Sequence, residues 1–312
     1  MGFEAFTFIL MSGILLGGLY ALMATGLAVV WTTLGVFNFA HGAFVTLGAY
    51  MAWQVSQSVA GGFGFLIAVA TSVTVMFCLG FVLHFALIKP FERNQNVVLL
   101  AVVSTLAAAS IIENAVLLNW GPRDKQIAPP ITSKIDFFGA SINTFDFVIL
   151  GIALFALFGL ALFLRRTTVG RTLRAAAQNR EAAELMGLNV PKLFAITLGL
   201  SAATAALAGV FVGSLRFINP TFGADPLMKS LIVVILGGVA RFTSPIYAAF
   251  VVGIAVERII SHQALAEGVE GRGIIGVCAV LSLARVADAI VVGVWRGGVL
   301  VIAHSYAGTN RI

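Results

Sequence analysis

The chain has 312 residues, of which 60% are hydrophobic and only 10% charged. Soluble domains carry about 25% charged residues, so there is too little charge here to clothe a water-facing surface. The net charge of +6 comes without any basic run interleaved with aromatics, which argues for basic membrane loops and against a nucleic-acid partner.

The bilayer is then the natural solvent, and helices the natural spanning form, because each satisfies its own backbone hydrogen bonds. The apolar runs are continuous and do not alternate as the strands of a transmembrane barrel do. Residues 6–31 are long enough to span, and no basic n-region or small-residue cleavage site marks them as a removable signal peptide. Residues 38–53 form a shorter, small-residue-rich segment with a polar start. Residues 63–88 and 97–118 span, the latter with Glu113 and Asn114 near its end. A polar loop follows over 119–144, with Pro122, Pro129 and Pro130, and residues 145–164 span again. The main charged loop is 165–192. Residues 193–215 span, 216–226 are turn-rich, and 227–239 and 245–260 are further apolar segments. A last stretch, 273–303, is apolar but broken by Arg285, Asp288 and Arg296. The expectation is one all-α, polytopic transmembrane helix bundle over 1–312, with about eight spans at roughly 20 residues each, some short or broken.

Arg165, Arg166, Arg171, Arg174, Arg180 and Lys192 concentrate in the 165–192 loop. Positive charge is retained on the cytoplasmic side, so this loop is expected inside. Alternating back through the spans puts Lys89 and Arg93 inside as well and the N-terminus, free of Lys and Arg before the first span, outside.

The 33 glycines suit closely packed membrane helices, and Gly13-xxx-Gly17 and Gly209-xxx-Gly213 have the spacing for it. Cys78 and Cys278 lie in apolar stretches and are expected as free, buried thiols. His84, His262 and His304 are scattered, with no Cys or carboxylate at ligand spacing, so no metal site is expected. Glu113 and Glu257 are expected at the interface, and the 25 phenylalanines as lipid-facing and packing bulk. His41, beside a membrane segment, has two readings: a capping or packing residue bonded to nearby backbone, or, with Asn38, a polar group facing the bundle interior. No lysine follows a glycine, so there is no phosphate loop, and neither H-E-x-x-H nor G-x-S-x-G occurs. The chain is not expected to be an enzyme. If ATP drives it, another polypeptide hydrolyses the ATP.

Within the charged loop a short helix is predicted over 178–186, from the strong formers Ala182, Ala183, Glu184 and Leu185. Gly187 is placed to stop it and Pro191 to restart the chain. Small Ala182 and Ala183 would let such a helix sit deep in a groove of another protein, with charges on the rim.

Glu181-Ala182-Ala183, followed by Gly187, resembles the EAA-xxx-G coupling motif of ABC importer permeases. Gly170-Arg171-Thr172-Leu173-Arg174-Ala175 and Leu188-Asn189 around it resemble the branched-chain amino acid permease group in particular. Asn38-Phe39-Ala40-His41-Gly42 resembles the N-F-A-H-G signature of that group, and Asn219-Pro220 with Gly223, then 233–238, forms a third match in family order. The resemblance implies a membrane-spanning subunit that moves branched-chain or related amino acids inward across the bacterial inner membrane. It implies a second permease subunit in a heterodimer, two ATP-binding cassette subunits that use ATP and Mg, and a periplasmic or extracellular substrate-binding protein, with no cofactor on this chain itself. Arg171, Arg174 and Arg180 would then flank the docking surface, Glu181 would orient the helix, and Ala182, Ala183 and Gly187 would shape it. Asn38, His41, Gly42 and Pro220 would belong to the path or gate. A urea or short-chain amide permease, a sugar-type permease, and a stand-alone secondary transporter with a deeply buried titratable group remain alternatives. A lipid-modifying membrane enzyme would need a cluster of polar residues at one interface, and none is present. The sequence departs from the family at Ala240-Arg241 and in its tail beyond about residue 277, where the usual ending is missing.

Overall fold

The structure is a computed structural model, and it describes residues 3–59, 63–91, 96–131, 133–137, 140–238 and 244–267. Cys278, the Ala240-Arg241 pair and the 273–303 stretch with Arg285, Asp288 and Arg296 lie outside the described residues, as does the side chain of Glu257. Tertiary contacts divide the chain into residues 1–254 and 255–312, and all packing below lies within the first unit.

In chain order the elements are α1 (Phe3–Leu34), α2 (Ala40–Ser58), α3 (Gly64–Leu87), α4 (Val97–Trp120), β1 (Lys134–Phe137), β2 (Ala140–Asn143), α5 (Thr144–Arg166), α6 (Thr168–Gln178), α7 (Arg180–Leu185), α8 (Val190–Leu215), α9 (Ala224–Gly237) and α10 (Ser244–Glu267). The protein is an all-α polytopic bundle, and each apolar stretch expected between residues 6 and 260 is a helix. Residues 9–34, α4, α5, α8 and the 64–91 stretch that contains α3 are long and apolar enough to cross a membrane. The polar 119–144 loop is more ordered than its composition implies. It folds β1 against β2 as an antiparallel ribbon, with Lys134 opposite Asn143.

Helix directions follow from which residues meet. Leu34, at the end of α1, packs with Val190 and Phe194 at the start of α8, while Gly26 of α1 lies against Thr204. The two helices are therefore antiparallel. On α2, His41 meets Ser201 and Ala49 meets Gly213, so α2 runs parallel to α8. Gly80 of α3 lies against Ala202 and Leu198, and the rings of His84 and Phe194 are 6.4 Å apart, so α3 is antiparallel to α8. Thr105 of α4 meets Phe39 and Trp120 meets Tyr50, which makes α4 parallel to α2. Gly18 meets Leu150, and Val29 packs with Leu160 and Leu164, which makes α5 parallel to α1. Gly13 faces Ile254 and Gly17 faces Phe250, so α10 runs opposite to α1. The chain thus alternates. Helices α1, α3 and α5 run toward the end that carries α6 and α7, and α2, α4, α8 and α10 run away from it. Between α8 and α10 the chain returns through residues 216–237, which include α9.

Burial separates the centre from the rim. Helices α1 and α8 are buried along most of their length, whereas α3, α4 and α5 expose one flank of large apolar side chains, among them Val82, Leu99, Ile111, Phe155 and Phe158. Such a surface suits lipid or a partner's helices and not water. Cys78 sits on the outer flank of α3 and is exposed, contrary to the expectation of burial, because that helix turns a different stripe inward, with Phe65, Ala68, Ser72, Met76, Gly80 and His84 on it.

The centre closes through small residues. A Cβ on Gly48 of α2 would come within 2.5 Å of the Ala206 backbone, one on Gly80 within 2.7 Å of Ala202, and one on Gly209 would overlap the Val45 carbonyl. Dispersion and close backbone approach hold helices together in lipid, where tails are as apolar as side chains. The Gly48→Leu variant should therefore lose about 1–3 kcal/mol from overpacking, read as a lower melting temperature of the detergent-solubilised protein. A melting temperature equal to wild type would contradict this packing.

Candidate coupling helices and interior helix junction

Two places carry the residues singled out in the sequence. The first is the α6–α7 hairpin. Thr167 caps α6, its Oγ1 accepting from the Gly170 amide at 3.0 Å. Gly170 then presses on the Phe163 and Leu164 carbonyls, where a side chain would not fit. Leu173 packs with Val29, Leu160 and Leu164, anchoring α6 to α1 and α5. The sequence pointed to one helix over 178–186. The structure has two, divided at Asn179, which leaves helical geometry (φ −153°) and caps α7 by accepting from the Ala182 amide at 2.9 Å. Short polar side chains compete for backbone in this way.

Gly187 ends α7 with φ +79°, a conformation open to glycine at little cost. The Gly187 amide bonds to the Glu184 carbonyl and the Leu188 amide to the Ala183 carbonyl, the paired bonds of a glycine-terminated helix. Asn189 caps α8 by accepting from Lys192, with Pro191 in the first turn. Only four residues therefore separate the rigid α7 from the central helix α8.

The two faces of α7 differ from the expectation. Ala183 does not face outward: it is buried with Ala176, Val190 and Phe194 of this chain. Ala182 and Glu181 are exposed. Arg180 pairs with Glu184 at 3.0 Å and lies 5.3 Å above the Phe194 ring, so it holds the hairpin to α8. Arg174 reaches the Arg165 carbonyl at 3.4 Å, and Arg171 is exposed. Asn179 fixes the start of α7 through its cap, and Glu181, in the first turn, is exposed. The projecting tip is apolar: Leu185 is 89% and Met186 82% exposed. The sequence reading took Leu185 as a helix former and Met186 as the helix end, and gave neither a contact role. Two consecutive large apolar side chains just before a helix-ending glycine, in a charged loop, were the available signal.

The second place is an interior junction. Helix α2 starts deep in the bundle: His41 lies against Gly26, eight residues before the end of α1, or about 12 Å at 1.5 Å per residue. A helix that starts inside the membrane leaves amides that water cannot satisfy. Side-chain oxygens take them up here. Asn38 Oδ1 accepts from Ala40 at 3.1 Å, Thr105 Oγ1 from Phe39 at 3.4 Å, and Thr46 Oγ1 from Gly223 at 2.8 Å. His41 is wholly buried, with Nδ1 3.0 Å from Ser201 Oγ on α8, a partner 160 residues away; it also interacts with the Met23 backbone of α1. Gly42 and Gly223 meet backbone to backbone, and a side chain on either would strike the other's carbonyl. Asn38, His41 and Gly42 are thus brought together with the turn that holds Asn219 and Pro220, in which Asn219 Oδ1 accepts from Thr221 at 3.2 Å. Ser201, Thr46 and Thr105 were missed, because single hydroxyls in apolar helices carry no motif.

Fold and sites together describe a polytopic helical membrane protein with a charged hairpin at one end and a broken-helix junction inside. Residues 9–284 match the family described as the branched-chain amino acid transport system / permease component, and the chain belongs to that family. It is 30% identical over 264 residues to the high-affinity branched-chain amino acid transport system permease protein LivH of Escherichia coli (strain K12), covering 78% of this chain and 82% of LivH. It is 27% identical to BraD, the corresponding permease protein of Pseudomonas aeruginosa, covering 79% of this chain and 83% of BraD. Among solved structures it has a distant likeness to PsaBC from Streptococcus pneumoniae in complex with Fab, at a TM-score of 0.44 and 11% identity over 91% of each chain.

The His41–Ser201 bond gives a test. Ser201→Ala should cost about 1–3 kcal/mol by leaving a buried ring nitrogen unpaired. Adding His41→Leu, which removes the other partner, should return part of that loss in a thermal melt of the purified protein. A neutral Ser201→Ala would show that the bond contributes nothing.

Proposed function

We propose that this chain is the membrane-spanning subunit of a bacterial ABC importer that carries branched-chain or related amino acids inward. It works as a transport subunit and not as a catalyst. ATP and Mg are used by two cassette subunits docked on α6–α7, a second permease subunit completes a heterodimeric pore, and a substrate-binding protein outside the cell delivers the solute. Family membership and the names of the relatives support the solute class. The observation that carries the mechanism is the exposed Leu185–Met186 tip on a short helix whose other face is packed into its own chain.

The six cations between Arg165 and Lys192 support a cytoplasmic hairpin on a bundle held in the inner membrane. The start of α1, at the opposite end, is then extracytoplasmic. Closure of the cassettes moves the tip, and the short Gly187–Asn189 link passes that movement to α8. Helix α8 touches α1, α2 and α3 through small residues and bonds to His41, so its shift reaches the Gly42–Gly223 junction. Packed interfaces of this kind switch between discrete arrangements, and the junction is the gate, with Asn38, His41 and Pro220 beside it.

The test is the double variant Leu185→Asp, Met186→Asp. Both side chains are exposed, so stability should change by less than about 0.5 kcal/mol. Binding of the cassette subunit should weaken about 30-fold, as for the loss of about 2 kcal/mol at an apolar anchor, and uptake should fall with it. Wild-type uptake by a stably inserted variant would overturn the docking role.

A further inference from the structure

A depression opens between α1, α8 and α9 at the end of the bundle away from α6–α7. It is a shallow hollow with a cavity volume of about 30 Å³, open at its mouth, so a ligand would lie across it and not be enclosed by it. Leu16, Leu19, Met23 and Leu215 form an apolar wall. Three charged residues, Arg216, Asp225 and Lys229, line the same hollow. The Lys229 ammonium is 2.7 Å from an Asp225 carboxylate oxygen and 5.9 Å from the centre of the Tyr20 ring. Among the described residues the Arg216 side chain makes no ion pair or hydrogen bond. A chain with 10% charged residues has placed three of them around one apolar hollow.

Resting on the reading of this chain as an amino acid permease, we propose that this hollow is a recognition site for the zwitterion of an aliphatic amino acid as it enters the bundle. Arg216, which has no ion-pair partner among the described residues, takes the carboxylate. Asp225, mostly exposed and already turned to a cation, takes the ammonium. Lys229, released in part from Asp225, closes over the carboxylate from the Tyr20 side. The Leu16–Leu19–Met23 wall takes the branched side chain. The charge pattern also rejects near neighbours: a bare carboxylic acid leaves its apolar end beside Asp225 without a cation to offer it, and a bare amine meets Arg216 and Lys229. A neutral sugar would have no use for two cations and a carboxylate around an aliphatic wall.

The experiment uses the assembled importer, purified with its cassette subunits but without the binding protein. It measures equilibrium binding of labelled leucine, with leucinol (no carboxylate) and 4-methylpentanoate (no ammonium) as competitors. Wild type should prefer leucine to both. Arg216→Gln should weaken leucine binding about 10- to 100-fold, the loss of a charge-assisted bond, and Arg216→Lys should restore part of it. Asp225→Asn should weaken leucine and let 4-methylpentanoate compete nearly as well, a change of selectivity that a structural defect would not produce. Unchanged melting temperatures establish that the variants are folded. Wild-type leucine affinity and selectivity in both variants would overturn the site. So would an Arg216→Gln defect that appears only when anionic phospholipid is present, since Arg216 would then be a lipid contact. A wild-type importer that neither binds nor carries leucine would instead sink the amino acid reading on which the site rests.

Discussion

The structure depends on the close approach of α8 to three neighbours. Gly199, Ala202, Ala206, Gly209 and Gly213 give that helix almost no side-chain bulk on the faces it turns to α2 and α3. In lipid this matters more than in water, because association there rests on contact and on backbone satisfaction and not on expelling solvent. Close approach also makes the broken helices tolerable. With α2 and the Gly223 turn pressed together, Thr46 reaches the Gly223 amide and Ser201 reaches His41. Were the backbones further apart, these groups would be left without partners in hydrocarbon, at several kcal/mol each.

The same helix joins the two sites. Its first turn is tied to α7 through Asn189, Val190 and Phe194, and its middle is tied to the interior junction through Ser201. In the proposed cycle a displacement at an exposed apolar tip needs no long relay. One rigid helix spans the distance, and the flexible parts are few: the glycine that ends α7, the Gly42–Gly223 contact, and the turn at Asn219. The exposed apolar flanks of α3, α4 and α5 lie outside this core and need not change their own packing for it to move.

Much of this was legible in the sequence, for reasons that can be named. Long apolar runs and a shortage of charge dictate membrane helices, and the boundaries were close wherever a glycine ends a helix, as at Gly187. The junction was half visible: Asn38, His41 and Gly42 were singled out, but Thr46, Thr105 and Ser201 look like any hydroxyl in an apolar helix until folding brings them to an orphan amide or ring. Helix α6 was read as loop because its arginines dominate its composition. Its buried stripe, Gly170, Leu173 and Ala176, is only three residues wide. Ala183 was assigned to a partner and packs instead on its own chain, since smallness permits burial against either. Cys78 was expected inside because its run is apolar, but on a helix at the rim the apolar face is the outer one. Arg216, Asp225 and Lys229 lie in separate turns and share no motif. Only the meeting of α1, α8 and α9 puts them in one hollow.

In the proposed cycle a nucleotide-hydrolysing partner docked at α6–α7 drives solute through this bundle. The most direct measurement is leucine accumulation in vesicles containing the purified chain with its partner permease and binding protein, with and without the cassette subunits and internal ATP. Accumulation that requires both cassettes and hydrolysable ATP, and that ignores ion gradients, is the predicted result. Accumulation against a gradient with no cassette subunit present would contradict it.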